Sequence, residues 1–267
     1  MPHGYEWADV LIVVKTYPAP STRHGETVCI AGVRLDSPTP TWIRLYPISF
    51  RALESDDQFK KYQVVRVPVR SRGSSDPRPE SYSPHMQGLQ PGAWFDTKQN
   101  WQARKDLIGP LIGATTTCEL IRMNKAGSMD QSIPSLGMVQ AHRVQVDVEE
   151  GKPWTQAQLA KVRQFSAADL LNPDGHPELQ PVPYTVRINY YCADEGCPGH
   201  KPSLIDWELG VAGLTWPRRY GKETATMIRG HYAKMLDSTH DVHLIIGNQH
   251  QRRQTFSVCG VWSPKLT

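Results

Sequence analysis

Two thiols and an imidazole, Cys192, Cys197 and His200, fall within nine residues of the chain, with Gly196, Pro198 and Gly199 between them to turn it. Cys sulfur and His nitrogen are the donors a zinc ion prefers, and a Cys-x4-Cys-x2-His run of this kind can wrap three of them around one ion. The spacing therefore predicts a zinc site built on Cys192, Cys197 and His200. Its fourth ligand must come from elsewhere: His231, His240, His243, His250, Cys259 or Asp206, or a water that would leave an open, catalytic position. The competing expectation is a pair of reduced thiols beside a surface histidine.

A carboxylate pair, Asp206 and Glu208, follows at once. Two acids can hold a divalent cation and activate water. However, Leu204, Trp207, Val211 and Leu214 recur at helical spacing, which predicts a helix over 203–216 with Ser203 as N-cap and Asp206 at the third position. Residues two apart on a helix point about 200° away from each other, so Asp206 is expected to cap and Glu208 to face solvent or pair with Arg218 or Lys222. No Ser-His-Asp order, phosphate-cradling glycine loop or dinucleotide fingerprint is present in the sequence.

The formal charge is only +4, so affinity for a polyanion has to come from local patches. Residues 60–78 carry Lys60, Lys61, Arg66, Arg70, Arg72 and Arg78 against the single acid Asp76. Arg218 and Arg219 with Lys222 form a second cluster, and Arg252 with Arg253 a third, in a polar tip with His250. Each is a candidate for phosphate contact, and each is also what a solvated face looks like.

The elements that must position these groups are mostly strands. β-Branched runs at 9–16 and 26–35 read as a hairpin. Residues 41–47 alternate Trp42, Arg44 and Tyr46 on one face with Ile43 and Leu45 on the other; Pro47, like Pro68 in the next run at 63–70, suggests an edge or a bulge. A helix is predicted over 98–108, further strands at 115–123 and 141–149, and a helix at 154–165. The Pro- and Gly-rich segment 166–183 marks a boundary, after which come a strand at 182–191, the Cys/His run, two helices and a closing pair of strands at 241–247 and 254–262. The expected division is 1–150, 151–180 and 181–267. Five cysteines suit a reducing compartment, and no run is long and apolar enough to span a bilayer, so a cytoplasmic protein is expected.

The segments 10–16, 27–32 and 42–47, with Cys-Ile-Ala-Gly from Cys29 and Trp-Ile-Arg from Trp42, resemble the opening of the dual OB-containing domain family of bacterial defence neighbourhoods. The Cys/His run before Asp-Trp-Glu is similar to a C-terminal segment of uncharacterised bacterial proteins. The resemblance implies an α+β chain: an N-terminal pair of small OB-like β-barrels, then a C-terminal zinc-containing α/β module. It also implies oligonucleotide binding on an open barrel face, here through Trp42, Arg44 and Tyr46.

The expectation is a nucleic-acid-binding accessory or recognition protein of a bacterial defence system, acting on single-stranded or duplex nucleic acid and working with a partner protein. Lys60, Lys61, Arg66, Arg70, Arg218, Arg219, Arg252 and Arg253 would neutralise phosphates. The alternative is a metal-dependent nuclease or nucleotide hydrolase that uses an open zinc position, with Glu208, Asp206 or His250 as base.

Overall fold

Strand β1 (Glu6–Lys15) is apolar on both faces because it is covered on both: Ala8, Val10 and Ile12 point into one core, Leu11 and Val13 into another. The computed structural model describes residues 2–21, 25–53, 55, 58–167 and 177–266. After β1 come a short hairpin, β2 (Ala19–Ser21) and β3 (Gly25–Thr27), then β4 (Ile30–Arg34), β5 (Thr41–Leu45), β6 (Gln63–Ser71), β7 (Ser81–Pro84) and β8 (Gln90–Trp94). Neighbours run β1-β4-β5-β7-β6, all antiparallel except β5–β7, and β6 returns to β1 to close a five-strand barrel, with β8 attached to β6 outside the ring. Val10, Ile30, Ile43, Leu45, Val65 and Val67 fill its interior, each fully buried.

Neither proline marks an edge strand. β5 pairs on both sides, with β4 and with β7, so the edge position expected from Pro47 is not found. Pro68 sits where β6 changes partner, between its pairing with β8 at Gln63 to Arg66 and with β7 at Val69 to Ser71. A residue without an N–H fits where one ladder ends and the next begins.

The second half begins with α1 (Lys98–Ile108) and α2 (Thr117–Ala126), then β9 (Leu136–Gln140), β10 (His142–Glu150), α3 (Gln156–Ser166), β11 (Tyr184–Tyr191) and β12 (Ser203–Leu204). It ends with α4 (Trp207–Thr215), α5 (Pro217–Tyr220), α6 (Thr224–Met235), β13 (His243–Gln249) and β14 (Arg252–Trp262). One six-stranded sheet, ordered β10-β11-β12-β14-β13-β9, uses all of its strands. The expected pair of barrels is thus one barrel and one sheet among the described residues. β10, expected in a second barrel, pairs instead with β11, and of the strand expected at 115–123, residues 117–123 lie in helix α2. Thr116 caps that helix in a reciprocal box with Glu119, which outweighs the β-branched run at 115–117. Part of the expected linker, 168–176, lies outside the described residues.

The second sheet lies against the outer side of β1, β4 and β5, where Leu11, Val13, Ala31 and Val33 meet Leu136, Met138, Ile245 and Trp262. Trp262 is fully buried, with its ring 4.9 Å from Trp101 and 6.3 Å from Tyr62. Burying one such side chain contributes roughly 1.5–3 kcal/mol, so the two halves share a core rather than merely touching. No helix among the described residues is long and apolar enough to cross a membrane.

Candidate metal centre and charged cluster

Strand β11 delivers Cys192 at its end, a tight turn returns Cys197, and His200 pairs back onto Tyr190 through both backbone bonds, at 2.8 and 3.0 Å. Asp194 shapes the turn by accepting from the backbone N–H of Gly196 and of Cys197. Gly199 stands at φ +86°, against the Tyr191 ring, where a side chain would be strained. The fourth donor comes from across the module: Cys118, on the first turn of α2, which Arg122 ties to the same turn through Asp194 at 2.8 Å.

The donor atoms of Cys118, Cys192, Cys197 and His200 all lie within 4.8 Å of one another. Cys197 Sγ is 3.2 Å from His200 Nε2, Cys118 Sγ 3.5 Å from the same nitrogen, and the two β11-side sulfurs are 3.5 Å apart. Donors about 2.0–2.3 Å from a four-coordinate ion stand roughly 3.3–3.8 Å apart, so the cluster can hold a metal ion. Burial and the neighbouring Cys192 push the Cys118 thiol up to about 12, a cost that a cation among the sulfurs would reverse. Of the fourth ligands considered from sequence, none is used: Cys259 is buried in the interface between barrel and sheet, and Asp206 is committed elsewhere. The signal that could have found Cys118 is its place beside the capping box at Thr116 and Glu119.

Asp206 is not inside a helix. It is extended, with φ −68° and ψ 146°, bridged to Thr16 at the end of β1, and it is the N-cap of α4 without a side-chain capping bond. An extended residue followed by helix turns its carboxylate toward that of Glu208, so the two converge where a continuous helix would separate them. Lys61 Nζ stands between them, 2.8 Å from Asp206 and 2.9 Å from Glu208. This replaces both the expected third-position cap and the expected pairing of Glu208 with Arg218 or Lys222. Burial drives the Asp206 carboxyl up to about 8 against the opposing pull of Lys61. Glu208, for all its desolvation, is held down to about 2 by the bond from Asp206 and the Lys61 charge. The pair thus keeps one proton readily, and the two carboxylates hold Lys61 protonated.

The other cations divide into tied and open. Arg44 is buried and donates to Ser135, across the interface, and Trp42 packs into the interface core; Tyr46 carries the Arg72 guanidinium over its ring at 4.9 Å. Arg253 is buried and donates to the carbonyls of Met129 and Gln131, while Arg78 pairs with Asp76 at 2.6 Å and donates to Asn248. The tip with His250 therefore docks on the barrel, His250 Nδ1 lying 3.2 Å from Asp76. Lys60, Arg66, Arg70, Arg218, Arg219 and Arg252 are exposed, Arg66 with Asp9 at 4.0 Å. Arg66 lies over Trp7 at 5.3 Å and Arg70 over Tyr5 at 5.1 Å, a row along the start of β1 and β6 whose two aromatics no motif in the sequence marks.

Two adjacent family models cover most of the sequence. One, described as Domain of unknown function (DUF8758), covers residues 6–110; the other, Domain of unknown function (DUF8757), covers residues 113–267. Neither is described as the dual OB-containing family that the opening strands resemble. The barrel strands fall in the first match and all strands of the second sheet in the other. No curated protein matches the chain.

Proposed function

The chain belongs to the family described as Domain of unknown function (DUF8757), and for this member we propose that it binds nucleic-acid strands along the open face of its barrel, with zinc held as a structural ion by Cys118, Cys192, Cys197 and His200. The row formed by Arg66 over Trp7 and Arg70 over Tyr5 carries the reading. It places flat rings for base stacking beside cations for phosphate, the pairing that sequence-tolerant strand binders use. A closed five-strand barrel whose third strand is joined in parallel to its last is also consistent with an OB-type barrel. The face used differs from that expected for Trp42 and Arg44, because the second sheet covers β4 and β5.

Zinc is favoured over other ions by three sulfurs and one nitrogen at tetrahedral spacing. A fourth protein ligand also fills the position that hydrolysis would need open, which weighs against the nuclease or nucleotide-hydrolase alternative.

Fluorescence anisotropy with a labelled single strand over a salt series tests it. Affinity should fall steeply with salt, and the double variant Arg66→Ala/Arg70→Ala should flatten the slope of log K against log salt by about 1.4. Trp7→Ala should weaken binding by roughly 1–3 kcal/mol. Salt-independent affinity, or variants that bind as the parent does, would refute the reading.

A further inference from the structure

Between the barrel and helices α4 and α6 lies a cavity of about 660 Å³, within the range of roughly 300–1,000 Å³ usual for small-molecule sites. Four elements supply its polar wall: Lys15 from the end of β1, Lys60 and Lys61 from the segment before β6, Arg104 from α1 and Glu208 from α4. Lys61 is neutralised by its two carboxylates. Lys15, Lys60 and Arg104 have no carboxylate within ion-pair distance among the described residues.

Lys15 is the least satisfied. Its ammonium is buried, lies over the rings of Phe50 and Trp207 at 4.3 and 4.7 Å, and has among the described residues a single hydrogen-bond partner, Phe59 O, at 3.5 Å. An ammonium has three donors to place, and leaving them unplaced under burial is costly. Burial accordingly lowers the Lys15 pKa. Arg104 is stacked on Tyr62 at 3.6 Å and spends Nε and Nη2 on Phe95 O, which fixes the plane of the guanidinium at the wall.

The rest of the lining is aromatic. Trp94 is 52% exposed, with its indole N–H held by the carbonyl of Lys61, and Trp216 closes the α4 side, set edge-on to His231. Three cations without an ion-paired carboxylate, against the one acid Glu208 in the wall, attract an anion, and held flat rings favour a planar aromatic partner. Glu208 offers an acceptor for hydroxyl or amino groups and disfavours a second anionic group near it.

We propose that this cavity is a nucleotide site: it takes a nucleoside monophosphate, free or as the phosphorylated end of a strand, with the phosphate on Lys15, Lys60 and Arg104 and the base against Trp94 and Trp216. The site is separate from the Tyr5–Trp7–Arg66–Arg70 row and does not depend on it.

Isothermal titration of the full chain with AMP, with adenosine and with inorganic phosphate gives the first readout. AMP should bind, and adenosine and phosphate alone should each bind at least roughly tenfold more weakly. Lys60→Glu and Val211→Glu both put negative charge at exposed lining positions, and each should weaken AMP roughly tenfold with the melting temperature unchanged. Ala212→Trp, which fills the cavity without touching its charges, should do the same. A terminally phosphorylated tetranucleotide that outbinds AMP, and loses that advantage without its phosphate, identifies a strand end as the source; equal or weaker binding identifies the free nucleotide.

No saturable AMP or tetranucleotide binding at millimolar concentration, or binding untouched by all three variants, overturns the site. Arg66→Ala/Arg70→Ala should leave AMP binding intact, so failure of the strand face and failure of the cavity are read separately.

Discussion

The Cys118–Cys192–Cys197–His200 cluster and the Lys61–Asp206–Glu208 cluster are similar in size and were built in opposite ways. Three donors of the first sit on one short turn, and only Cys118 crosses from another element. In the second, the cation comes from the barrel half and both acids from the sheet half, 145 residues further on for Asp206. A local cluster pre-exists in the chain as spacing; a long-range one exists only after two folded halves meet. The first can therefore staple one module, while the second reports on how the halves are joined.

The largest effect is expected of Cys118→Ala. If the cluster is a zinc staple, elemental analysis should fall from about one ion per chain toward none under a competing chelator. Denaturant unfolding should lose several kcal/mol, since structural zinc contributes about 10–16 kcal/mol in small folding units. Cys259→Ala, buried but outside the cluster, should leave metal content unchanged. Equal metal in both variants would remove Cys118 from the ligand set.

Next in size is Lys61→Met, which leaves Asp206 buried without its cation and should cost about 3–5 kcal/mol near pH 8. The folded carboxyl titrates at about 8, above its ordinary 3.8, so its contribution favours the fold fully below pH 3.8 and is lost as pH rises through 8. Lys61 limits that loss, so the deficit of the variant should widen from pH 5 to pH 9 in urea titrations. A deficit that does not change with pH would mean Asp206 is not the group being stranded.

Glu208→Gln should have the smallest effect, within about 1 kcal/mol, because the carboxylate is 53% exposed and water screens its pair with Lys61. A loss as large as that of Lys61→Met would make the two acids equal partners and erase the distinction between buried and rim carboxylate.

The barrel strands were legible because alternation survives in them: Ile43 and Leu45 inward, Trp42 and Arg44 outward, as found. What alternation does not say is what the outward face meets. Arg44 and Arg253 look like surface cations in sequence, yet each is buried against carbonyls of the opposite half or of a neighbouring loop. Helix α2 was missed because three consecutive threonines favour a strand locally, whereas the Thr116–Glu119 box and packing on the second sheet favour a helix. Asp206 was misplaced for a related reason: the apolar period of α4 was extended three residues too far back, across β12.

From sequence alone came the clustering of the donors Cys192, Cys197 and His200, the strand-rich first half and the inward faces of its strands, because spacing and period are properties of a chain segment by itself. The tertiary structure alone decided that Cys118 completes the donor set, that Lys61 meets Asp206 and Glu208, and which arginines reach solvent. Those outcomes depend on contacts between segments far apart in the chain, and a single sequence carries no local trace of a partner that only packing brings near.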